Sequence, residues 1–438
     1  MALSFPECHF EPLALLGGEP LIKKEPTPYQ SMGSAEKEAV ARVMKSDCIS
    51  GFYGSPGDKF LGGEMVREFE SAWCERLGSR MAISVNSATS GLIAAVGAAG
   101  IGPGDEVIVP PYTMSATVVA PLFYGGIPVF ADIEEDTFCM DPIAVQNAIT
   151  PRTKAIIVVN LFGHPAQLSK LRCIADDHGL VMIEDSSQSP FASESGKNCG
   201  TIGHMGIFSF NYHKHIHTGE GGMVTTDDPV LGKRLQLIRN HGENVVDTWN
   251  VDNITNLVGL NFRMTELSAA IGIEQLKNAD EHMGRRTKIA SRLTSAICNL
   301  KGLTPPLVRP GCQHNYYCWV MRYDAEVVGV SRAVFSKALV AEGFPHGVGY
   351  VPPLYNLPLF KQRKAIGGGG WPFSLSDYRY DNILCPVTER MHDKEVIMFE
   401  TCAYDLDEHG ADMMGKAILK VYSQRADLSD WEALQLNG

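Results

Sequence analysis

The sequence predicts an α/β fold built on a mostly parallel sheet. From about residue 65, short runs that are apolar throughout alternate with amphipathic stretches of helical length. A strand that is buried on both faces forms a continuous apolar run, which is typical of a parallel sheet covered by helices. The 43 glycines can also supply many tight turns between strands and helices.

The apolar runs give the predicted strands in chain order. They cover residues 81–85, 106–109, 128–131, 155–159, 181–183, 207–210 and 223–226. Helices are predicted at 91–99, 116–124 and 168–178, and another begins at Asp141 and Pro142, an N-cap residue followed by proline. No long helix fits between the last two strands, so we expect part of the sheet to be antiparallel there.

The regions outside the sheet give a weaker pattern. One long helix is predicted from about Thr265 to Leu300, and it leads into a C-terminal part of the chain. The aromatic run at 316–319 is interpreted as a core strand of that part. The first sixty residues show helix and loop patterns with little strand signal.

Composition and charge restrict the class of protein. The formal net charge is −12 and no long basic run is present, so nucleic-acid binding is not expected as the main role. Eleven cysteines are scattered singly, which is typical of reduced thiols in the cytoplasm. No apolar run is long enough to span a bilayer, and the first residues lack a signal-peptide pattern. We therefore expect a cytoplasmic protein without a membrane partner.

Lys214 is the main candidate for a reactive residue. It follows the strand-like run 207–210 and precedes the glycine-rich turn 219–222. Burial of an ammonium group lowers the pKa of a lysine, which suits imine formation with a carbonyl compound. The alternative is an ordinary surface lysine at the end of a strand.

Other polar groups follow the ends of predicted strands. The segment from Ser87 to Thr89 lies between a strand and a helix, where it either caps the helix or binds a phosphate. Asp185 and Gln188 follow the strand 181–183, where a carboxylate either caps a turn or pairs with a protonated ring nitrogen. The hydroxyl of Ser209 offers a further phosphate donor.

Together these residues supply what pyridoxal 5′-phosphate requires. The set contains phosphate donors, a carboxylate for the ring nitrogen, an amide for the phenolic oxygen and a lysine amine. We therefore predict that pyridoxal 5′-phosphate is the cofactor.

The chain resembles the DegT/StrS-type sugar aminotransferases, a family of fold-type I pyridoxal-phosphate enzymes. The resemblance is dense over about residues 45–285, and residues 13–20 are similar to the opening of members that act on cyclitol ketones. The matching stretches are 84–92, 102–110, 128–133, 183–185, 208–222 and 261–266.

The resemblance implies a fold and a domain division. It implies a large cofactor-binding domain with a mostly parallel seven-stranded sheet covered by helices, and a smaller C-terminal α+β domain. We place the large domain at 1–285, with an N-terminal extension over about 1–60, and the small domain at 286–438. It also implies a homodimer whose active sites are shared between the two subunits.

The resemblance further implies a role for each candidate residue. Lys214 binds the cofactor covalently and Asp185 pairs with its ring nitrogen; these two are the predicted catalytic residues. Gln188 contacts the phenolic oxygen. The predicted phosphate ligands are Ser87, Ala88, Thr89, Ser209 and, from the second subunit, Asn261.

Five further residues are predicted to contact the cofactor or the substrate. Met114 stands where the family usually places an aromatic ring over the cofactor, and Tyr112 is a possible substitute. Tyr355 stands where many members acting on nucleotide-linked sugars carry histidine. His213 and His215 flank Lys214 and are predicted to contact the substrate.

The predicted activity is amino transfer in two half-reactions. The resemblance implies glutamate or glutamine as the donor and a keto sugar or cyclitol ketone as the acceptor, which is nucleotide-linked, phosphorylated or free. The alternatives are a deoxysugar dehydratase of the same family, with His213 or His215 as the base, and a non-catalytic cofactor-binding regulator. A metal enzyme is disfavoured because no carboxylate lies at ligand spacing from the histidines, so no metal site is predicted.

Overall fold

The computed structural model describes residues 10–436, which form alternating strands and helices in the first two thirds of the chain. The strands are β1 (Met81–Val85), β2 (Glu106–Val109), β3 (Ile127–Phe130), β4 (Thr153–Val159), β5 (Val181–Asp185), β6 (Ser193–Glu194), β7 (Lys197–Asn198), β8 (Met205–Ser209), β9 (Gly222–Thr226), β10 (Leu303–Thr304), β11 (Cys312–Gln313), β12 (Cys318–Tyr323), β13 (Gly347–Val348) and β14 (Val396–Glu400). The α-helices are α1 (Ser34–Ser46), α2 (Glu64–Leu77), α3 (Ala88–Ala98), α4 (Ser115–Val119), α5 (Pro142–Ala148), α6 (Leu168–Asp177), α7 (Pro229–Arg239), α8 (Glu266–Lys277), α9 (Ala279–Ile297), α10 (Ala325–Val328), α11 (Arg332–Ala341), α12 (Pro358–Lys361), α13 (Pro386–Arg390), α14 (Glu408–Ser423) and α15 (Arg425–Leu436).

The central sheet has seven strands in the order β1-β9-β8-β5-β4-β2-β3. The pairs from β8 to β3 are parallel, whereas β9 runs antiparallel to both of its neighbours, β1 and β8. This confirms the predicted seven-stranded, mostly parallel sheet and its antiparallel part.

Both faces of the sheet are buried. Along β4, Ile157 packs into the cluster that contains the buried residues of α3, while Ile156 and Val158 pack into the cluster on the opposite face, with Leu171 of α6. Successive side chains of a strand point to opposite faces, so a strand covered on both sides must be apolar at every position. This explains why the strands appeared as continuous apolar runs.

The predicted long helix from Thr265 to Leu300 is wrong, because the structure contains two helices there. α8 ends at Lys277 and α9 begins at Ala279, with Asn278 between them at φ −96° and ψ 4°. The Asn278 N–H donates to Gln275 O rather than continuing a regular helix. Asparagine is a poor helix former because its side chain competes for backbone hydrogen bonds, so a break at this residue is physically reasonable.

A second sheet lies in the C-terminal part, with the strand order β10-β12-β14-β13 and antiparallel pairing throughout. Its apolar face packs against α9, α11 and α14, with the fully buried Trp319 in the core. This is the predicted smaller α+β region. The predicted boundary at residues 285 and 286 falls within α9 and stays a prediction.

The structure also bears on the cysteine and membrane predictions. The ten cysteines within residues 10–436 are free thiols, whereas Cys8 and the first residues considered for a targeting signal lie outside the described part. Among the described helices, none is both long and apolar enough to cross a membrane.

A buried ion pair anchors the N-terminal segment to the C-terminal helices. The Lys420 Nζ lies 2.9 Å from the carboxylate of Glu342, and both side chains are almost fully buried. The same carboxylate accepts hydrogen bonds from the N–H groups of Ala14 and Leu21, and Lys420 also donates to Glu19 O. The pair therefore carries four interactions between segments that are far apart in the chain.

We expect Lys420→Met to destabilise the protein strongly. The variant would leave the Glu342 carboxylate buried without its cation, which typically costs about 3–5 kcal/mol. Urea unfolding measures the change in the free energy of unfolding. The exposed pair Lys23–Glu19, with 3.4 Å between Nζ and the carboxylate, is the control. Lys23→Met should leave stability unchanged within error, and an equal loss in both variants would contradict the role given to the buried pair.

Candidate active site

The strand register brings the candidate residues together at one edge of the central sheet. Asp185 ends β5 and pairs with Ile207 of β8, two residues before Ser209. On the other side, Gly222 pairs with both Ser209 of β8 and Val85 of β1. The carboxyl ends of β1, β5 and β8 therefore lie at the same edge, where ligands bind in α/β sheets.

Gly222 makes close contact with the start of α3. A Cβ at this position would lie 2.6 Å from the Ser87 carbonyl carbon and 2.7 Å from the Ala88 nitrogen. Only glycine allows the β9 backbone to approach this turn so closely. This contact sets the first turn of α3 beside Ser209.

The first turn of α3 has the properties of a phosphate site. The Ser87 hydroxyl accepts a hydrogen bond from the Ser90 N–H at 3.1 Å, so Ser87 is the N-cap. The N–H groups of Ala88 and Thr89 have no acceptor within residues 10–436, and the Thr89 side chain is exposed. Unpaired amides and the helix dipole attract an anion at such a site. Ser87 thus caps the helix, and its predicted contact with a phosphate stays a prediction.

Asp185 is buried and held in one orientation. One carboxylate oxygen accepts a hydrogen bond from the Thr117 hydroxyl at 2.7 Å, and the other accepts from the Ser187 N–H at 3.1 Å. Both donors stabilise the ionised carboxylate. Met114 lies one turn before Thr117 and is 60% exposed, so its side chain is accessible, and its predicted contact with the cofactor stays a prediction.

Gln188 is also buried, and its amide is oriented by two neighbours. Its Oε1 accepts a hydrogen bond from the Phe162 N–H at 2.7 Å. Its Nε2 donates to the Tyr350 hydroxyl at 2.9 Å. The amide therefore presents its NH₂ group on the side of Tyr350, where it can donate to an oxygen of a bound cofactor.

Lys214 lies on a loop whose base is closed by backbone pairing. The Phe210 N–H donates to Gly221 O, and the Thr218 N–H donates to Phe210 O. The Lys214 Nζ lies over the ring of Tyr317, 4.4 Å from its centroid. Burial lowers the pKa of Lys214, and the Asp185 carboxylate opposes this effect. A lysine with a lowered pKa is a better nucleophile towards an aldehyde at neutral pH.

The three histidines around Lys214 differ in burial and in their hydrogen-bond partners. His215 is fully buried and its Nε2 bonds to Asn315 O, while His217 bonds to the Ser31 hydroxyl. His213 is partly exposed, and burial together with the charge of Lys214 lowers its pKa to about 4. Within residues 10–436, no group of three or more His, Cys, Asp or Glu side chains forms a candidate metal site. Of the two histidines predicted to contact the substrate, only His213 is accessible.

The two tyrosines predicted to contact the substrate are also buried. The Tyr112 side chain is fully buried and its hydroxyl donates to Gly349 O. Tyr355 is 2% exposed and its hydroxyl donates to the carboxylate of Glu389 at 2.5 Å. Both side chains pack in aromatic clusters, and their predicted contacts with the substrate stay predictions, as do those of His213 and His215.

Asn261 directly precedes a residue that bonds to the backbone just before α3. Its side chain is exposed, and its backbone pairs with Asn240 in an isolated bridge. The next residue, Phe262, accepts a hydrogen bond at its carbonyl from the Asn86 N–H. An exposed asparagine at this position is compatible with a contact to a second subunit, which stays a prediction.

Comparison with known proteins identifies the family. A profile of the DegT/DnrJ/EryC1/StrS aminotransferase family matches residues 53–399. The chain belongs to this family. Aminotransferases of the DegT/DnrJ/EryC1/StrS family depend on pyridoxal 5′-phosphate, and the chain is therefore an aminotransferase of a pyridoxal-phosphate-dependent family.

Relatives match nearly the whole chain. The L-glutamine:2-deoxy-scyllo-inosose aminotransferase of Streptomyces kanamyceticus is 33% identical over 95% of this chain and 98% of its own length. The spore coat polysaccharide biosynthesis protein SpsC of Bacillus subtilis (strain 168) is 31% identical over 89% of this chain and 95% of its own. The X-ray structure of an aminotransferase from Psychrobacter cryohalolentis superposes with a TM-score of 0.78 at 28% identity, covering 92% of this chain and 100% of that one. These DegT-family relatives confirm the sugar or cyclitol aminotransferase family and the fold-type I class.

Three residues at the site were not found from the sequence. Thr117 bonds to Asp185, Tyr350 bonds to Gln188, and Tyr317 covers Lys214. Thr117 lies within a predicted helix, so nothing marked its side chain as functional. Tyr317 was interpreted as part of a core strand, and its contact with Lys214 depends on tertiary packing. No local signal identifies either contact.

We expect Gly222→Ala to disrupt the first turn of α3 and weaken cofactor binding. The added methyl group meets backbone atoms that cannot rotate away, and overpacking of this kind costs about 1–3 kcal/mol. Equilibrium titration with pyridoxal 5′-phosphate and thermal unfolding measure the two effects. Gly284→Ala is the matched control, because no atom lies within 4 Å of a Cβ built there in α9. Gly284→Ala should bind the cofactor normally, and its stability should be unchanged or slightly raised. Normal cofactor binding by Gly222→Ala would contradict the role given to the contact between Gly222 and the first turn of α3.

Proposed function

We propose that this protein transfers an amino group from glutamine or glutamate to the ketone of a cyclitol or sugar, with pyridoxal 5′-phosphate held by Lys214. The observation that carries the proposal is the convergence of three groups at one sheet edge. These are the buried amine of Lys214, the oriented carboxylate of Asp185 and the open amides at the start of α3. Each group suits a different part of the same cofactor.

The residues present fit the cofactor. Gly222 brings the β9 backbone against the first turn of α3 beside Ser209, and the N–H groups of Ala88 and Thr89 at that turn, unpaired within the described residues, suit a phosphate group. Asp185 is the buried carboxylate for a protonated ring nitrogen, and Gln188 is the donor for a phenolic oxygen. When bound, pyridoxal 5′-phosphate supplies an electron sink that stabilises carbanion charge at the reacting carbon.

Lys214 has two proposed tasks. Its neutral amine binds the cofactor, and once released it moves a proton at the carbon that loses or gains nitrogen. Burial lowers the pKa of Lys214, so more of the amine is neutral than in water. Asp185 keeps the ring nitrogen protonated, since its ionised oxygens already accept hydrogen bonds from Thr117 and Ser187.

We infer an amino donor and an acceptor class from the relatives. The Streptomyces kanamyceticus relative, which matches 95% of this chain, is named as a glutamine-dependent aminotransferase of a cyclitol ketone. Glutamine and a free cyclitol ketone are therefore the first pair to test. His213 is the accessible side chain beside Lys214 that we propose for contact with the acceptor.

We further propose a homodimer with shared active sites in the cytoplasm. The side chain of Asn261 is exposed in the single chain, as expected for a residue that completes the site of a partner. Met114 is exposed at the mouth of the site, where a thioether can pack against the cofactor ring.

Lys214→Arg is expected to abolish amino transfer. Arginine keeps a positive charge but has no primary amine that can form an imine. Assays with glutamine as donor measure the turnover, and borohydride reduction followed by peptide mapping identifies the labelled lysine. Lys233 also lies near an aromatic ring, 5.9 Å from the centroid of Trp249, and Lys233→Arg should retain turnover. Turnover by Lys214→Arg at the normal rate would overturn the proposal.

Asp185→Asn should bind the cofactor but lose on the order of a hundredfold or more in turnover, because the buried charge that stabilises the protonated ring is removed. Thr117→Val should lose about tenfold, since it deletes one hydrogen bond to that charge. Steady-state kinetics on both variants measure the effect. Turnover of Asp185→Asn within threefold of the wild type would contradict the proposed role.

A panel of ketone acceptors tests the substrate class. We expect 2-deoxy-scyllo-inosose to accept nitrogen from glutamine faster than nucleotide-linked keto sugars, with mass spectrometry used to detect the amine. Faster amination of a nucleotide-linked sugar would overturn the preference for a free cyclitol. A dehydrated product without nitrogen would instead identify the dehydratase alternative.

A further inference from the structure

The environment of Lys214 includes an aromatic face that comes from a distant part of the chain. The Lys214 Nζ lies 4.4 Å from the centroid of the Tyr317 ring. Tyr317 precedes β12 of the C-terminal sheet, and its side chain is only 6% exposed. A cation over the face of a buried aromatic ring is attracted by the ring quadrupole, and the attraction is strongest where water is excluded.

The position of Tyr317 is determined by a backbone contact at Gly163. Gly163 has a φ of +100°, and a Cβ there would overlap the side-chain oxygen of Asn315 and lie 2.8 Å from the Tyr317 nitrogen. Asn315 is buried, its N–H donates to Gly163 O, and its side-chain amide donates to Pro190 O. The segment from Asn315 to Tyr317 is thus fixed against the carboxyl edge of the central sheet.

Tyr317 interacts with Lys214 as a neutral ring. Burial raises the pKa of the Tyr317 hydroxyl well above its ordinary value, so the side chain is not a phenolate that could form an ion pair. The ring also lies near the imidazoles of His213 and His215, at centroid distances of 6.3 and 5.9 Å. Its effect on the lysine therefore comes from the ring face rather than from a charge.

The other groups that face Lys214 act in opposite directions. Burial lowers the pKa of the lysine most strongly, and the groups on the neighbouring strands oppose this effect. The two flanking histidines carry little charge at neutral pH, because burial lowers the pKa of each below its ordinary value. The opposing groups are Asp185 at the end of β5, Cys318 at the start of β12, Glu400 at the end of β14 and Cys402 just after it.

We propose that Tyr317 is a positioning residue for Lys214, whose ring face holds the free ammonium group and thereby sets the pH at which the amine becomes neutral. This inference rests on the proposed role of Lys214 as the amine that binds the cofactor. Its test, however, measures the protonation of the lysine alone, so failure of the aminotransferase proposal would not be mistaken for failure of this one.

The experiment uses the full-length protein after any bound aldehyde cofactor has been removed with hydroxylamine, so that the Lys214 amine is free. Trace acetylation with acetic anhydride is carried out over a range of pH values, and the extent of reaction at Lys214 is quantified by peptide mass spectrometry. Because only the neutral amine reacts, the profile reports the titration of this lysine. The variants are Tyr317→Phe, which keeps the ring face, and Tyr317→Leu, which removes it. Circular dichroism confirms folding, and Tyr317→Met replaces Tyr317→Leu if the leucine variant does not fold.

We expect the pH profile of Lys214 acetylation in Tyr317→Phe to match that of the wild type. Tyr317→Leu should shift the profile to lower pH, with reactivity on its acidic side raised roughly two- to thirtyfold, because the ammonium form loses the attraction of the ring. Tyr323→Leu is the matched control, since Tyr323 is a buried tyrosine at the end of β12, the strand that Tyr317 precedes, and its hydroxyl donates to Val330 O. It should leave the Lys214 profile unchanged.

Three outcomes would overturn the proposal. An unchanged profile in Tyr317→Leu would show that the ring face does not act on the amine. A shift to higher pH would show that the ring acts only by excluding water. An equal shift in Tyr317→Phe or Tyr323→Leu would assign the effect to the hydroxyl or to general loosening of the fold.

Discussion

The close approach of the β9 backbone to the first turn of α3 is the constraint on which the site depends. Gly222 pairs with a strand on each side, and it also touches the backbone between Ser87 and Ala88. A helix terminus, two strand ends and the loop that carries Lys214 are therefore held by one sheet register. A one-residue slip of β9 would reverse the faces of its side chains and separate these groups, and burial on both sides of the sheet opposes such a slip.

Lys214 lies between two opposing physical effects. Removal from water favours the neutral amine, whereas the Asp185 carboxylate and the Tyr317 ring favour the ammonium form. A lysine that binds an aldehyde and later moves a proton needs access to both forms near neutral pH. The arrangement around Lys214 supports both forms, because burial acts against the carboxylate and the ring face.

Much of the fold and part of the site followed from local sequence patterns. The seven central strands were predicted to within two residues at each end, because a strand buried on both faces leaves an uninterrupted apolar run. Lys214 and Asp185 could be located because they come within a few residues after such runs, and Ser209 because it lies near the end of one. The break at Asn278 was missed, since amphipathic spacing continues across it and one backbone conformation decides the outcome. The burial and internal bonding of Tyr112, His215 and Tyr355 could not be predicted, because they depend on contacts made by remote segments. The predicted contacts of these three residues with the substrate stay predictions.

The bonds between Glu342 and the N-terminal segment control the access of a protease to the loop between Ala14 and Leu21. The carboxylate receives amides seven residues apart, at Ala14 and Leu21, and the lysine that neutralises it also bonds the carbonyl of Glu19 between them. A protease needs an extended stretch of backbone, so it can cut this loop only after the charged pair has separated. The rate of cleavage there would report how often the C-terminal helical layer loosens while the sheet that carries Lys214 stays intact.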